Sequence, residues 1–269
     1  MKAFIVFTRI PLEHKTKTRL LPYYTPKQCV GLHIAMLKDL ARTLNGLDAS
    51  VKTYIYYLPE GDVSIIKNIF GDDKTYREQR GEDLGDKMYN AISEVLSEGA
   101  SAVSLSGTDI PMLSAEDIIS SFTNLGNNDI VLSPTEDGGY YLVGMKKANK
   151  EIFDIEGYGT GSVYENTKHK IEDMGLSLGT GRRLRDIDTK EDIKAYYGII
   201  RTDLDFRKTH TAIFLKENKS IAIIIPTYNE EDTIVSLMNQ LDGIKDRCEI
   251  VFVDGGSTDK TLELIDASK

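Results

Sequence analysis

The sequence predicts an α/β fold with a mainly parallel sheet and helices on both faces. Apolar, β-rich runs alternate with amphipathic helical patterns along most of the 269 residues. Such alternation is typical of strand–helix–strand units, whose strands lie parallel. The hydrophobic fraction of 41% and the charged fraction of 28% are those of a globular chain with a buried core. Ligands of these sheets bind at the carboxyl ends of the strands, so the loops there are where function is sought.

The first half of the chain supplies a regular series of strands and helices. Residues 3–8 predict a strand. Residues 25–44 predict a helix in which Thr25 is the cap and Pro26 takes the first position. The next predicted elements are a strand at 51–59, helices at 62–70 and 84–98, and a buried strand at 101–107.

The second half continues the pattern with two capped helices. Ser114 begins a predicted helix, and Asp117 three residues later completes a capping box. Thr189 caps a last helix that runs to about residue 200. The predicted elements between these helices are strands at 129–135 and 140–145 and a helix at 160–174.

The pattern divides the chain into two units. Residues 1–201 form the first predicted domain. Residues 202–219 have mixed charge and no clear period, so they are interpreted as a linker. Residues 220–269 resume the alternation with two strands and two helices. Two strands and two helices bury too small a core for a complete α/β domain. This unit is therefore interpreted as a partial domain.

Composition excludes several functional classes. A pI near 5.1 argues against nucleic-acid binding, which favours a broad basic face. The longest apolar runs are far shorter than the roughly 20 residues of a membrane helix, so no membrane span is expected. Cys29 and Cys248 are far apart and have no histidine cluster beside them. We therefore expect reduced thiols and a cytoplasmic protein.

Positive charge is concentrated in VFTRIPLEHKTKTRLLP, residues 6–22, although the net charge of the chain is −9. Arg9, Lys15, Lys17 and Arg19 all follow the first strand at the edge where ligands bind. Lysine supplies point charges, and arginine supplies forked donors that fit phosphate oxygens. The segment therefore predicts a diphosphate site. A solvated basic loop is the alternative.

Carboxylates follow two other predicted elements. Asp109 comes two residues after a buried strand, where it can hold Mg²⁺ or Mn²⁺ together with nucleotide phosphates. Its alternative role is that of a turn residue before Pro111. Asp186 and Asp188 alternate, so they are expected to face the same side. Asp188 also adjoins the helix cap Thr189, where a structural role is the alternative.

Paired and flanking glycines mark two further places. Gly138 and Gly139 permit a close backbone approach to a ligand, but Asp137-Gly138 also fits the turn of a hairpin. Gly81 and Gly85 flank the start of a helix, whose N-terminus attracts anions.

The order of the motifs resembles that of a bacterial family with a GT-A-like fold. The motifs are KTRL (17–20), EDLGDKM (82–88), SGTDIP (106–111), EDGGYYLVG (136–144) and DIDTKED (186–192). This family is described as transferases associated with radical-SAM and selenium-domain genes, or as glycosyltransferases of arsenosugar biosynthesis. It is similar to phospholactate guanylyltransferase and to the nucleotidyltransferases of the molybdenum cofactor. The resemblance implies a GT-A, Rossmann-like three-layer sandwich, the fold of nucleotide-diphospho-sugar transferases, over about residues 1–200.

The resemblance also implies roles for individual residues. The implied metal ligands, for Mg²⁺ or Mn²⁺, are Asp109 and Asp188. The implied catalytic residues are Lys17, Asp109 and Asp137. The implied nucleotide-binding residues are Thr8, Arg9, Lys17, Thr18, Arg19, Gly85, Thr108, Gly138 and Gly139. The related cofactor enzymes have a glycine-rich loop where this chain reads Thr-Arg-Ile-Pro, so side-chain cations are expected to replace backbone donors.

The second unit resembles the beginning of family 2 glycosyltransferases. The motifs IIIPTYNEE and VFVDGGSTDKT carry this resemblance. It implies an incomplete nucleotide site lined by Pro226, Thr227, Tyr228 and Glu230, with Asp254 at the base or ribose. The metal-binding acidic motif and the catalytic base of that family lie beyond the matching part, so we expect no catalysis from this unit alone.

Three functions remain open from the sequence. The first is metal-dependent glycosyl transfer from a nucleoside-diphosphate sugar to a small-molecule acceptor. The second is nucleotidyl transfer from an NTP to a phosphorylated acceptor, with release of pyrophosphate. The third is a non-catalytic module that senses nucleotides. Glu136 and Asp137 are candidates for a general base by position only.

Overall fold

The computed structural model describes residues 1–155, 161–219, 222–244 and 248–266. The chain folds into two compact units, Met1–Leu215 and Lys216–Lys269. Residue 160, the expected start of the fifth helix, lies outside the described residues. No helix in the described ranges is long and apolar enough to cross a membrane.

Strands of the first unit form one mainly parallel sheet. They are β1 (Lys2–Thr8), β2 (Val51–Tyr57), β3 (Thr75–Glu78), β4 (Ala102–Ser106), β5 (Ile130–Pro134), β6 (Tyr140–Met145) and β7 (Leu178–Thr180). Their order in the sheet is β3-β2-β1-β4-β6-β5-β7. Among these seven strands, only β6 runs antiparallel to its neighbours, and it forms a hairpin with β5. The predicted fold class is therefore confirmed.

Helices of the first unit cover both faces of this sheet. They are α1 (Pro26–Asn45), α2 (Ser64–Phe70), α3 (Leu84–Ser97), α4 (Ala115–Asn124), α5 (Val163–Asp173), α6 (Lys190–Thr202) and α7 (His210–Glu217). One buried cluster lies between the sheet and α3 and α5, and another lies between the sheet and α1, α2 and α4. Thr25, Ser114 and Thr189 cap their helices, as predicted, and each of them forms a capping box, which the sequence predicted for Ser114.

The segment predicted to be a linker is instead part of the first unit. It contains a 3₁₀ turn at Phe206–Lys208 and helix α7. Phe206, Ala212 and Leu215 are buried against residues of α1 and α6. The prediction was wrong because α7 is too short to show a clear helical period. The carboxylate of Asp39 in α1 accepts the N–H groups of the first two α7 residues, at 2.8 Å each.

The described part of the second unit contains a pair of parallel strands. They are β8 (Ala222–Thr227) and β9 (Glu249–Asp254), and the helices are α8 (Ile234–Leu241) and α9 (Thr261–Asp266). The N–H of Gly255 donates to the carbonyl of Thr227 at 2.8 Å, so the carboxyl ends of the two strands are held together.

Candidate functional site

A cleft of about 650 Å³ opens at the carboxyl ends of the strands in the first unit. Loops after β1 and β4, the turn between β5 and β6, and the segment before α6 all contribute to it. The sequence-predicted residues that line it are Thr8, Arg9, Lys17, Thr18, Arg19, Thr108, Asp109, Asp137, Gly139 and Asp188. The fold therefore brings together residues that are up to 180 positions apart in the sequence, from Thr8 to Asp188.

Lys17 lies at the centre of this arrangement. Its side chain is only 4% exposed, and its Nζ lies 2.7 Å from Oδ1 of Asp109. Nζ also donates to the carbonyl of Ile187, whose own N–H donates to the carbonyl of Asp109 at 2.9 Å. Lys17 has a left-handed backbone, with φ of 51°. These contacts join the loop after β1, the loop after β4 and the segment before α6 into one structure.

A second ion pair lies at the rim of the cleft. Nη1 of Arg19 is 2.7 Å from Oδ2 of Asp188, and the Arg19 side chain is largely exposed. Nη1 of Arg9 donates to the carbonyl of Lys15 at 2.6 Å, which folds the basic loop back on itself. Both arginines line the cleft, where forked donors can bind phosphate oxygens.

The pKa of Asp109 lies below its ordinary value. Desolvation of the carboxyl opposes ionisation, but the charge of Lys17 and its hydrogen bond to the carboxylate outweigh it. His33 is buried beneath the basic loop, and burial lowers its pKa to about 4, so its imidazole is neutral at pH 7. Its Nε2 lies 3.4 Å from the carbonyl of Arg9. The site therefore holds an ionised Asp109 at neutral pH.

Asp137 and Asp186 form a negative region of the same cleft. Burial of Asp186, with the charges of Asp137 and Asp192, raises its pKa to about 6. Oδ1 of Asp137 accepts the N–H of Gly139 at 3.0 Å and the hydroxyl of Thr135. Asp137 therefore also fixes the hairpin turn, so the hairpin interpretation is confirmed while its carboxylate still lines the cleft.

Two predicted nucleotide-binding residues do not line the cleft. Gly85 is buried in the first turn of α3 and faces a separate hollow beside Asp86 and Lys150. Lys87 of the same turn does line the cleft, because residues two positions apart point to opposite sides of a helix. Gly138 has a φ of 88°, and a Cβ there would meet the carbonyl of Gly161 at 2.0 Å. Close packing and the positive φ therefore explain why residue 138 is a glycine.

The donor set of the cleft fits a hard divalent cation. Asp109, Asp137, Asp186 and Asp188 supply carboxylate oxygens, the ligands that Mg²⁺ takes in proteins. Within the described ranges, no three metal-ligating side chains converge on one point. Mg²⁺ commonly binds one or two carboxylates and completes its shell with water and substrate phosphates, so such convergence is not required.

Several residues of the cleft were not assigned by sequence reasoning. His33 and Lys87 line it, and Asp186 had been noted only for its spacing from Asp188. No motif marks His33, since its position depends on how α1 packs under the basic loop. Lys87 lies within the EDLGDKM motif, so its charge was the available signal.

The predicted residues of the second unit gather at the carboxyl ends of β8 and β9. Thr227 is the buried last residue of β8, and Tyr228 after it is exposed. The N–H of Glu230 donates to the Thr261 hydroxyl at 2.7 Å. Asp254 accepts two backbone N–H groups of the following turn, at 2.8 and 2.9 Å. Pro226 lies within β8, where it pairs with β9.

Comparison with known proteins identifies two family matches. Residues 42–160 match a family described as an uncharacterized protein conserved in bacteria, DUF2064. Residues 222–269 match glycosyl transferase family 2.

Two individual proteins are similar over most of the chain. The 2-phospho-L-lactate guanylyltransferase of Methanocaldococcus vulcanius is 27% identical over 221 residues, which cover 79% of this chain and 90% of that protein. A solved structure from Desulfovibrio desulfuricans G20, described as a candidate nucleotide-diphospho-sugar transferase, is 28% identical with a TM-score of 0.74. The match covers 81% of this chain and 94% of that one. The fold and these relatives support kinship of the chain with the nucleotidyl- and glycosyltransferases.

Proposed function

We propose that the first unit transfers a nucleotidyl group from an NTP to a phosphorylated small-molecule acceptor. The observation that carries this proposal is the ion pair between Lys17 and Asp109 in a cleft that is also lined by two arginines and further carboxylates. Phosphoryl chemistry needs this arrangement, because charge develops on the bridging and leaving oxygens. Similarity to a guanylyltransferase over most of both chains favours an NTP as the donor.

In the proposed reaction an oxygen of the acceptor phosphate attacks the α-phosphorus of the NTP. The bond from the α-phosphorus to the bridging oxygen of the β-phosphate breaks, and pyrophosphate leaves with that electron pair. Lys17, Arg19 and Arg9 would neutralise the negative charge on the leaving phosphates. The acceptor phosphate is already ionised at neutral pH, so the attack requires no general base in the cleft.

Asp109 and Asp188 are the residues we expect to hold Mg²⁺ or Mn²⁺, with Asp137 and Asp186 lining the same cleft. A divalent ion supplies charge stabilisation at phosphate oxygens. Both expected ligands face a cation in the free protein, Asp109 at Lys17 and Asp188 at Arg19. These pairs keep the carboxylates oriented into the cleft before any ligand binds.

Glycosyl transfer from a nucleoside-diphosphate sugar is the second candidate. Two observations favour it: the similarity to the Desulfovibrio structure and the family 2 match of residues 222–269. The same cations would then face the departing nucleoside diphosphate. A nucleotide-sensing module without catalysis is the third candidate.

Product analysis separates the three functions. The protein is incubated with Mg²⁺ or Mn²⁺, each of the four NTPs and 2-phospho-L-lactate, and pyrophosphate release is measured. A parallel series uses nucleotide sugars and measures nucleoside diphosphate. Acceptor-dependent pyrophosphate supports the proposal, whereas diphosphate release from a sugar donor supports the second candidate. Nucleotide binding without turnover in either series supports the sensing module.

A matched pair of variants links the activity to the cleft. Asp109→Asn removes an expected metal ligand, so metal-dependent nucleotide binding and turnover should both be lost. Asp72→Asn makes the same chemical change at an exposed position outside the cleft and should behave like the parent. Equal activity of both variants would show that the reaction occurs elsewhere.

A further inference from the structure

Lys87 is a cation of the cleft that has no anionic partner in the described part of the chain. Three other cations that line the cleft have carboxylate partners: Lys15 pairs with Glu60 at 2.7 Å, Lys17 with Asp109 and Arg19 with Asp188. Arg9 instead donates to the carbonyl of Lys15. Among the described residues, no carboxylate lies within ion-pair distance of Lys87. Its side chain lines the cleft all the same and is partly buried. The free protein thus holds an uncompensated positive charge at this position.

The local helix makes that charge less favourable still. Lys87 lies in the first turn of α3, where the helix dipole presents its positive end. Asp83 and Asp86, the acidic residues at the start of the helix, have other partners. Asp83 caps the helix by accepting the N–H of Asp86 at 2.7 Å, and the Asp86 carboxylate pairs with Lys150 at 2.9 Å.

The backbone around Lys87 is held in a defined position. Gly81 has a φ of 145°, and a Cβ at that residue would lie 2.7 Å from the backbone nitrogen of Lys87. The loop before α3 therefore packs directly against the first turn. Gln79 of the same loop donates from Nε2 to the carbonyls of Thr8 and Tyr56, at 2.8 and 3.1 Å. These contacts tie the loop to the ends of β1 and β2.

We propose that Lys87 binds a phosphate group of the nucleotide substrate. Lys87 lines the same cleft as Lys17 and Arg19, although it comes from helix α3, which packs against β1 and β4. A phosphate chain bound by Lys17 and Arg19 in this cleft would supply the countercharge that Lys87 lacks. This inference rests on the proposed function and extends its phosphate site to helix α3.

Binding measurements on Lys87→Met test the inference. The ligands are GTP, inorganic tripolyphosphate and 2-phospho-L-lactate, each with Mg²⁺ and the 269-residue protein. Loss of one charged hydrogen bond should weaken binding of both GTP and tripolyphosphate about tenfold. Lys27→Met is the matched control, because Lys27 is an exposed lysine in the first turn of α1 outside the cleft. Lys87→Arg, which keeps the charge, should restore most of the affinity.

The ligands separate the possible outcomes. Unchanged affinity of Lys87→Met for GTP and tripolyphosphate would overturn the assignment to the nucleotide. A loss confined to 2-phospho-L-lactate would overturn it as well and assign the contact to the acceptor. A loss for GTP without a loss for tripolyphosphate would indicate contact with base or ribose and overturn the phosphate assignment. A parent protein that binds none of the ligands would overturn the proposed function as well.

Discussion

At the scale of single residues, Lys17 connects two loops of the cleft. Its nearly buried ammonium group contacts the Asp109 carboxylate and the Ile187 carbonyl. A buried cation is tolerated only when such partners compensate for its lost hydration. Lys17 therefore holds two separate chain segments in place and at the same time presents positive charge to the cleft.

Substitution of Lys17 by methionine should weaken nucleotide binding by about ten- to a hundredfold, because a charge-assisted contact is lost. It should also raise the pKa of Asp109, since the main charge that favours its ionised form is gone. Calorimetry measures the affinity, and carboxyl NMR titration measures the pKa. Lys38→Met, an exposed change on α1, is the control. Normal affinity in Lys17→Met would remove Lys17 from the phosphate site.

The residues of the cleft differ in how far the sequence could predict them. Lys17, Arg19 and Asp109 follow strand ends and form an ordered series of motifs, so their meeting was predictable. Lys87 was not, because its motif drew attention to Gly85. The sequence does not tell which side of α3 faces the cleft. The structure shows that Lys87 lines the cleft and that Gly85 lines a separate hollow.

At the scale of elements, helix α4 depends on a largely buried carboxylate. Asp117 accepts the backbone N–H and the hydroxyl of Ser114 at 2.9 and 2.7 Å, and Arg182 donates to both of its oxygens. Burial opposes ionisation of Asp117, but these hydrogen bonds outweigh it, so its pKa lies below the ordinary value. The helix start is thereby tied to the segment that follows β7.

The contribution of Asp117 to stability should depend on pH. A lowered folded pKa means that the ionised carboxyl stabilises the fold above the unfolded value of about 3.9 and loses this effect as the pH falls below it. Asp117→Asn should therefore destabilise the protein by about 1–2 kcal/mol at pH 7 and by much less near pH 3. Urea unfolding at both pH values measures this. Glu116→Gln, an exposed change in the same turn, should show little effect at either.

Helix α7 depends on a contact across the chain. Both carboxylate oxygens of Asp39 accept backbone N–H groups of α7, and the Asp39 side chain is buried. In Asp39→Asn an amide NH₂ group replaces one of the two acceptor oxygens. We expect the free energy of unfolding to fall by about 1–3 kcal/mol and the start of α7 to open more often. Hydrogen exchange should then speed up within 210–217. Exchange there should stay slow in Asp72→Asn, and slow exchange in both variants would contradict this role for Asp39.

The elements that the sequence did not predict are those stabilised by distant partners. The caps Thr25, Ser114 and Thr189 act within three residues, so local patterns were sufficient to predict them. Strand β3 is four residues long and strand β7 is three, and each pairs with a single neighbour at an edge of the sheet. Their pairing partners, like the Asp39 contact to α7, are far away in sequence.

At the scale of the whole molecule, the position at which the first unit ends determines how short a fragment can be and still fold stably. The sequence predicts a boundary at residue 201, whereas the first compact unit of the fold extends to Leu215. Phe206, Ala212 and Leu215 complete a buried cluster with residues of α1 and α6. A fragment that ends at 201 would expose the apolar surface that these side chains cover.

Two truncated proteins test this boundary. Burial of a Phe or Leu side chain contributes about 1.5–3 kcal/mol, and a domain is stable by only about 5–15 kcal/mol. Residues 1–217 should therefore unfold cooperatively near the temperature of the full chain, whereas residues 1–201 should melt many degrees lower or aggregate. Calorimetry measures both transitions, and GTP binding shows whether the cleft persists. If the two fragments were equally stable, α7 would not belong to the core of the unit that carries the cleft.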